Sequence, residues 1–137
     1  MRSFCIPVVI LLALLVLGCD GDGNGQTGTV LAQGNATAPA QSQFRQAGTE
    51  LARVSVSGTG VLQARVNCTG SCVPLKGVFV HAATAQAYGN AESPSPLVVR
   101  VTVTAGMAGA GQEWVLFVAR SDASPGAVTY SVTFVPD

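Results

Sequence analysis

From Phe44 onward, apolar residues recur at every second position. In LARVSVSG, Ala52, Val54 and Val56 alternate with Arg53, Ser55 and Ser57. In VLQARVNC, Leu62, Ala64, Val66 and Cys68 share one face, and Gln63, Arg65 and Asn67 the other. GVFVHAA sets Val78, Val80 and Ala82 against Phe79 and His81, and LVVRVTVTA sets Leu97, Val99, Val101 and Val103 against Arg100, Thr102 and Thr104. EWVLFVAR is apolar on both faces, as a central strand would be, and AVTYSVTFV alternates again through Val128, Tyr130, Val132 and Phe134. A period of two marks strands with one face buried. Between the runs stand breakers: Gly58 and Gly60, Pro74, Ser93-Pro94-Ser95-Pro96, Gly106 to Gly111, and Ser124-Pro125-Gly126. The three glycines of 105–111 favour a loop over a helix, and AQAYGNAESPSP reads as a long loop carrying Tyr88. The pattern predicts an all-β domain over 44–137, an antiparallel β-sandwich of about six to eight strands.

The start of the chain follows no such period. Ile6 to Leu17 is an uncharged apolar run of about 12 residues behind Arg2, within the ~7–15 of a signal-peptide core and short of the ~20 that span a bilayer. It stops at Gly18-Cys19, and the chain turns at once to Gly, Asp and Asn. Val16-Leu17-Gly18-Cys19 resembles the lipobox of bacterial lipoproteins. Gly18 and Cys19 match that pattern, whereas Val16 stands where Leu is commonest and Leu17 is bulkier than usual. The resemblance implies a signal peptide over 1–18, cleavage before Cys19, a diacylglyceryl group on the Cys19 sulfur and an acyl chain on the new amino group. Two or more chains make a stable anchor, so the expected address is the bacterial cell envelope, with a membrane held through Cys19. Residues 19–43, rich in Gly, Ala and Gln, read as a flexible, disordered linker. DGDGNG resembles the front of a calcium loop, but its twelfth position is Leu31 rather than Glu, and linker is the better reading.

Charge adds little. Seven Lys+Arg balance seven Asp+Glu, and charged residues are 10% of the chain, against about 25% in ordinary soluble domains. The arginines are scattered singly and Lys76 is the one lysine, so the basic stripe of a nucleic-acid binder is missing. The surface must be covered mainly by Ser, Thr, Gln, Asn and Gly.

Candidate chemistry is sparse. Cys5 lies in the signal, and Cys19 is assigned to lipid. Cys68 and Cys72 remain, an even pair in an exported chain, and read as a disulfide closing a short loop. His81 is the one histidine, placed by its phase either at the surface or against a second layer. No G-x-S-x-G accompanies it, so no nucleophile, base and orienting acid can be assembled. Glu50, Glu92, Glu113 and Asp122 could pair in space as a glycosidase-type acid and base, but no spacing supports this. Neither a metal site nor a cofactor is expected. Trp114 reads as core; Tyr88 is the candidate ligand contact.

The closing segment EWVLFVARSDASPGAVTYSVTFVPD, through Gly126, Tyr130, Val132 and Phe134, resembles the last hairpin of bacterial prepeptidase C-terminal domains. These are secreted β-sandwiches, and their midway acidic segment is absent here. That resemblance implies a fold, and fold does not settle function. The expectation is a non-catalytic envelope lipoprotein whose sandwich binds a protein or glycan, or has a structural surface role. The alternative is a small periplasmic hydrolase or redox protein held at the membrane.

Overall fold

The computed structural model describes residues 28–110 and 112–137. The signal-peptide and Cys19 readings lie outside them. The described chain runs β1 (Thr29–Ala38), a 3-10 turn (Gln41–Gln43), β2 (Ala52–Ser55), β3 (Gly60–Cys68), β4 (Leu75–His81), β5 (Gln86–Ser93), β6 (Leu97–Val103), α1 (Ala105–Ala110), β7 (Glu113–Arg120) and β8 (Gly126–Pro136).

Two four-stranded antiparallel sheets, β1-β8-β3-β6 and β2-β7-β4-β5, pack face to face. Only β4 and β5 are joined as a hairpin within one sheet; every other connection crosses to the opposite sheet. This wrapping is the strand order of a jelly roll, and the expected antiparallel β-sandwich is the fold observed.

The alternating residues meet between the sheets. Leu62, Ala64 and Val66 of β3 are fully buried, as are Leu97 and Val99 of β6 and Val132 of β8. Trp114, Leu116 and Val118 of β7 and Phe79 of β4 close the core from the other sheet. Burying side chains of this kind contributes roughly 1.5–3 kcal/mol each. At one flank β5 leans on β6. Gly89, at φ 72°, carries no Cβ, and one built there would lie 2.5 Å from the Arg100 carbonyl oxygen.

Three expectations are corrected. The linker expected over 19–43 is in part a strand: Thr29–Ala38 pairs along β8, so the folded domain starts well before residue 44. Its buried and half-buried positions are Leu31, Ala32, Ala36 and Ala38, mostly small, and a register shift between Val30 and Ala32 breaks the period, so the apolar signal is faint. The loop expected around Tyr88 is β5, whose register against β4 also shifts, between Gly77 and Phe79. The loop expected at 105–111 holds the short helix α1, whose Met107 and Ala108 pack on the core.

The strands also define two poles. β1 starts, and β3 starts, where β6 and β8 end; His81 and Glu113 lie at the same end of the second sheet. Ala38, Cys68, Leu75, Leu97, Arg120 and Gly126 mark the opposite pole.

Candidate functional site

Arg120 is the last residue of β7 and shares the inward phase of Trp114, Leu116 and Val118. A guanidinium thus enters the end of an apolar sandwich, with a side chain only 8% exposed. Such a burial is tolerable only when charge and donors are both met. Nε donates to Asp122 Oδ1 at 3.2 Å and Nη2 to Asp122 Oδ2 at 3.1 Å, a bidentate pair. Nη1 donates to the Ser71 carbonyl at 3.1 Å. Gly126 leaves the space: a Cβ there would overlap Nη1 and approach Cδ and Cζ. The hydrogen bonds from Arg120 hold the Asp122 carboxyl below its ordinary value, against a smaller opposing effect of desolvation.

This clamp joins three connections. The backbone N–H groups of Arg120, Ser121 and Gln41 donate to the carbonyls of Pro39, Pro74 and Asp122 at 2.9, 3.0 and 3.0 Å. The loop after β3 is itself closed, since Cys68 and Cys72 lie at disulfide distance with Cα atoms 5.7 Å apart. Thr69 adds a bond from its N–H to the Ala127 carbonyl, and Cys68 N–H donates to Ser95 Oγ, both at 3.0 Å. The β1–β2, β3–β4 and β7–β8 connections are therefore fixed to one another at one pole.

Between two of them opens a shallow cleft of about 540 Å³, lined by Gln41, Ser42, Ser121, Asp122 and Ala123. The Gln41 amide and the Ser42 hydroxyl are exposed, and with the Ser121 hydroxyl they have no hydrogen-bond partner among the described residues. Three unengaged polar groups and one immobilised carboxylate thus converge on the same surface. The arrangement offers donors and acceptors without a nucleophile–base pair.

The residues singled out by sequence lie elsewhere. Tyr88 is half-buried in β5, its ring 5.6 Å from Trp114 in an edge-on contact, so it is a wall of the core rather than an exposed loop residue. Trp114 is fully buried, as expected. His81 takes the second-layer option: it is buried, its ring centroid is 4.6 Å from that of Trp114, and Nδ1 lies 3.2 Å from Thr84 Oγ1. Of the four carboxylates, Glu50 and Glu113 both reach the exposed Arg53, at 3.2 and 3.3 Å. Backbone hydrogen bonding first, and Arg53 second, lower the Glu50 carboxyl, the opposite of the raised value a general acid needs. Asp122 is committed to Arg120 at the clamp, and Glu92 lies on β5. Among the described residues, no three of His, Cys, Asp and Glu converge to hold a metal ion.

Sequence reasoning missed Arg120 and the cleft. The available signal was phase: a charged residue continuing the inward series 114, 116, 118, followed two positions later by an aspartate. No protein-family description, curated protein or solved structure matches the chain.

Proposed function

We propose that the protein is a lipid-anchored envelope domain, non-catalytic, that presents one pole of its sandwich to an extracytoplasmic glycan or protein. The place where the domain begins is the observation that carries this reading. Cys19, the expected acylation site, precedes Thr29 by about ten residues, and Thr29 opens β1 at the pole opposite the clamp. Strands of seven to eleven residues separate the poles by roughly 25–35 Å at about 3.3 Å per residue. A tether that enters the domain at Thr29 leaves its most rigidly cross-tied loops at the pole farther from the point of entry. Loops held on a rigid scaffold are where binding residues concentrate. An exported, weakly charged chain with a disulfide-distance cysteine pair fits an oxidising envelope compartment.

A photo-cross-linking side chain at Ser42, compared with the same side chain placed at Ala83 on the tethered pole, tests this in intact cells. The expected result is adducts of envelope glycan or protein from position 42 and none from 83. Adducts from 83 alone, or none from 42, contradict the reading.

A further inference from the structure

Resting on that reading, we infer that the cleft beside Asp122 binds the hydroxyl groups of a neutral glycan. Charge is the first ground. Asp122 is the one charged residue lining the cleft, and it is paired with the buried guanidinium of Arg120. The pair carries no net charge and presents its carboxylate end, so the site exerts no strong long-range pull on a charged ligand and disfavours an anionic one. The chemistry of the lining is the second ground. A carboxylate accepts only, a carboxamide both donates and accepts, and a hydroxyl does either. Neighbouring hydroxyls of a sugar ring present the matching alternation of donors and acceptors. Asp122 Oδ1 already accepts from Arg120 Nε and from the Ser124 N–H at 3.3 Å, and Oδ2 from Arg120 Nη2. Its carboxylate has about four acceptor sites, and its side chain is 38% exposed, so acceptor capacity faces the cleft.

Preorganisation is the third ground. The cost of binding falls when the site is already ordered. Asp122 is held by both guanidinium bonds and by its own carbonyl, which accepts from Gln41 N–H. The two cleft walls are therefore tied to each other before any ligand arrives. A protein partner is less suited to this surface. Protein hot spots centre on Trp, Tyr and Arg in desolvated pockets, whereas none of these side chains lines the cleft and the cleft is shallow. Hydrogen bonds without an aromatic platform give weak binding to a single sugar unit, and useful affinity comes from repeated engagement along a polymer by many anchored copies.

The test uses the intact chain, in lipid nanodiscs if it is purified from membranes and in buffer if it is purified without lipid. Saturation-transfer NMR is recorded with cellobiose, chitobiose and maltose, with glucuronate and glucosamine as charged controls. Transfer to at least one neutral disaccharide is expected. It should be unchanged by about 0.5 M salt, which screens exposed charges beyond a few ångströms. Ser121→Ala, Gln41→Ala and Asp122→Ala should each weaken it. The Asp122 change should cost about tenfold or more, the weight of one hydrogen bond to a charged group. Ala83→Ser at the other pole should change nothing. Gln41 is exposed, so its variant keeps the test valid even if Asp122→Ala disturbs the clamp. No transfer at tens of millimolar sugar, or transfer that survives all three cleft variants, overturns the inference. So does a protein adduct at position 42 with no sugar response. The lipid state of Cys19 is read separately by mass, so failure of the glycan inference and failure of the anchoring are distinguishable.

Discussion

The two poles of the sandwich are ordered by different forces. At the pole where β1 begins, aromatic packing leads, alongside backbone ties from the Val56, Ala82 and Asp137 N–H groups to the Gln112, Glu113 and Thr59 carbonyls. Trp114 lies among His81, Tyr88 and Phe79, with ring centroids 4.6, 5.6 and 6.5 Å away, and Met107 of α1 packs on the same core. At the opposite pole, order comes from polar bonds: one guanidinium, one carboxylate, a closed cysteine loop and three backbone ties. Packing is non-directional and tolerates small shifts of a wall. Hydrogen bonds to a charged group fix position and orientation. The first kind of pole suits a point of attachment, and the second suits a surface that must hold its polar groups in place.

Each pole can be broken by a change that leaves the other intact. The largest effect is expected at the packed pole. Trp114→Ala should lose about 3–5 kcal/mol, the usual range for a buried aromatic, read as a fall in urea midpoint. Trp114→Phe should cost clearly less, because Nε1 has no hydrogen-bond partner among the described residues and its removal orphans nothing. A Phe variant as damaging as the Ala variant would mean that the full indole volume, rather than an aromatic ring alone, holds this pole together.

Next comes the clamp. Arg120→Met keeps the volume and removes the charge-assisted bonds to Asp122 and Ser71. About 1.5–3 kcal/mol of stability should go with them. Amide exchange should rise at Gln41 and Ser124, whose N–H groups donate to Asp122, and stay unchanged at His81 and Trp114. Exchange that rises evenly over both poles would mean that they are not held independently. The paired change Cys68→Ser with Cys72→Ser should cost about 2 kcal/mol, within the same range, because a loop of about five residues removes little unfolded-state entropy. Its exchange footprint should fall on the same pole.

The smallest effect is a pH dependence. Asp122 titrates below its ordinary value when folded, so its contribution is present above the unfolded carboxyl value of about 3.9 and is lost as pH falls through the lower folded one. Melting temperature should therefore drop below about pH 4. Asp122→Asn should flatten that drop in part, leaving the share of Glu50, whose carboxyl is lowered in the same direction. An unchanged slope in the Asn variant would show that the carboxylate does not hold the guanidinium in solution.

The readability of the chain follows the same physics. β3, β6 and β8 put large apolar side chains on one face and polar ones on the other, and β7 is apolar on both, so each is legible. β1 and β5 lie at sheet edges, bury little, and each carries a register shift. Their residues are largely Ala, Gly, Asn, Gln and Thr, which look like linker or loop, whereas β6, also at an edge, buries Leu97 and Val99 and stays legible. Tyr88 reads as a loop residue for that reason: in YGNAES no alternation marks the strand that seats its ring on Trp114. The cleft is illegible for a different reason. Gln41 and Ser42 stand some eighty positions from Ser121 and Asp122, and only the jelly-roll wrapping brings the β1–β2 and β7–β8 connections together. The Cys68 and Cys72 pair is legible because its spacing is local.

Attachment at one pole is the premise on which the presentation of the other rests. The most direct measurement is the intact mass of the N-terminal peptide from membrane-extracted protein. The expected peptide starts at Cys19 and carries diacylglyceryl and acyl mass. A peptide that starts elsewhere, or an unmodified Cys19, would contradict lipid anchoring and leave a freely secreted sandwich with a spare thiol.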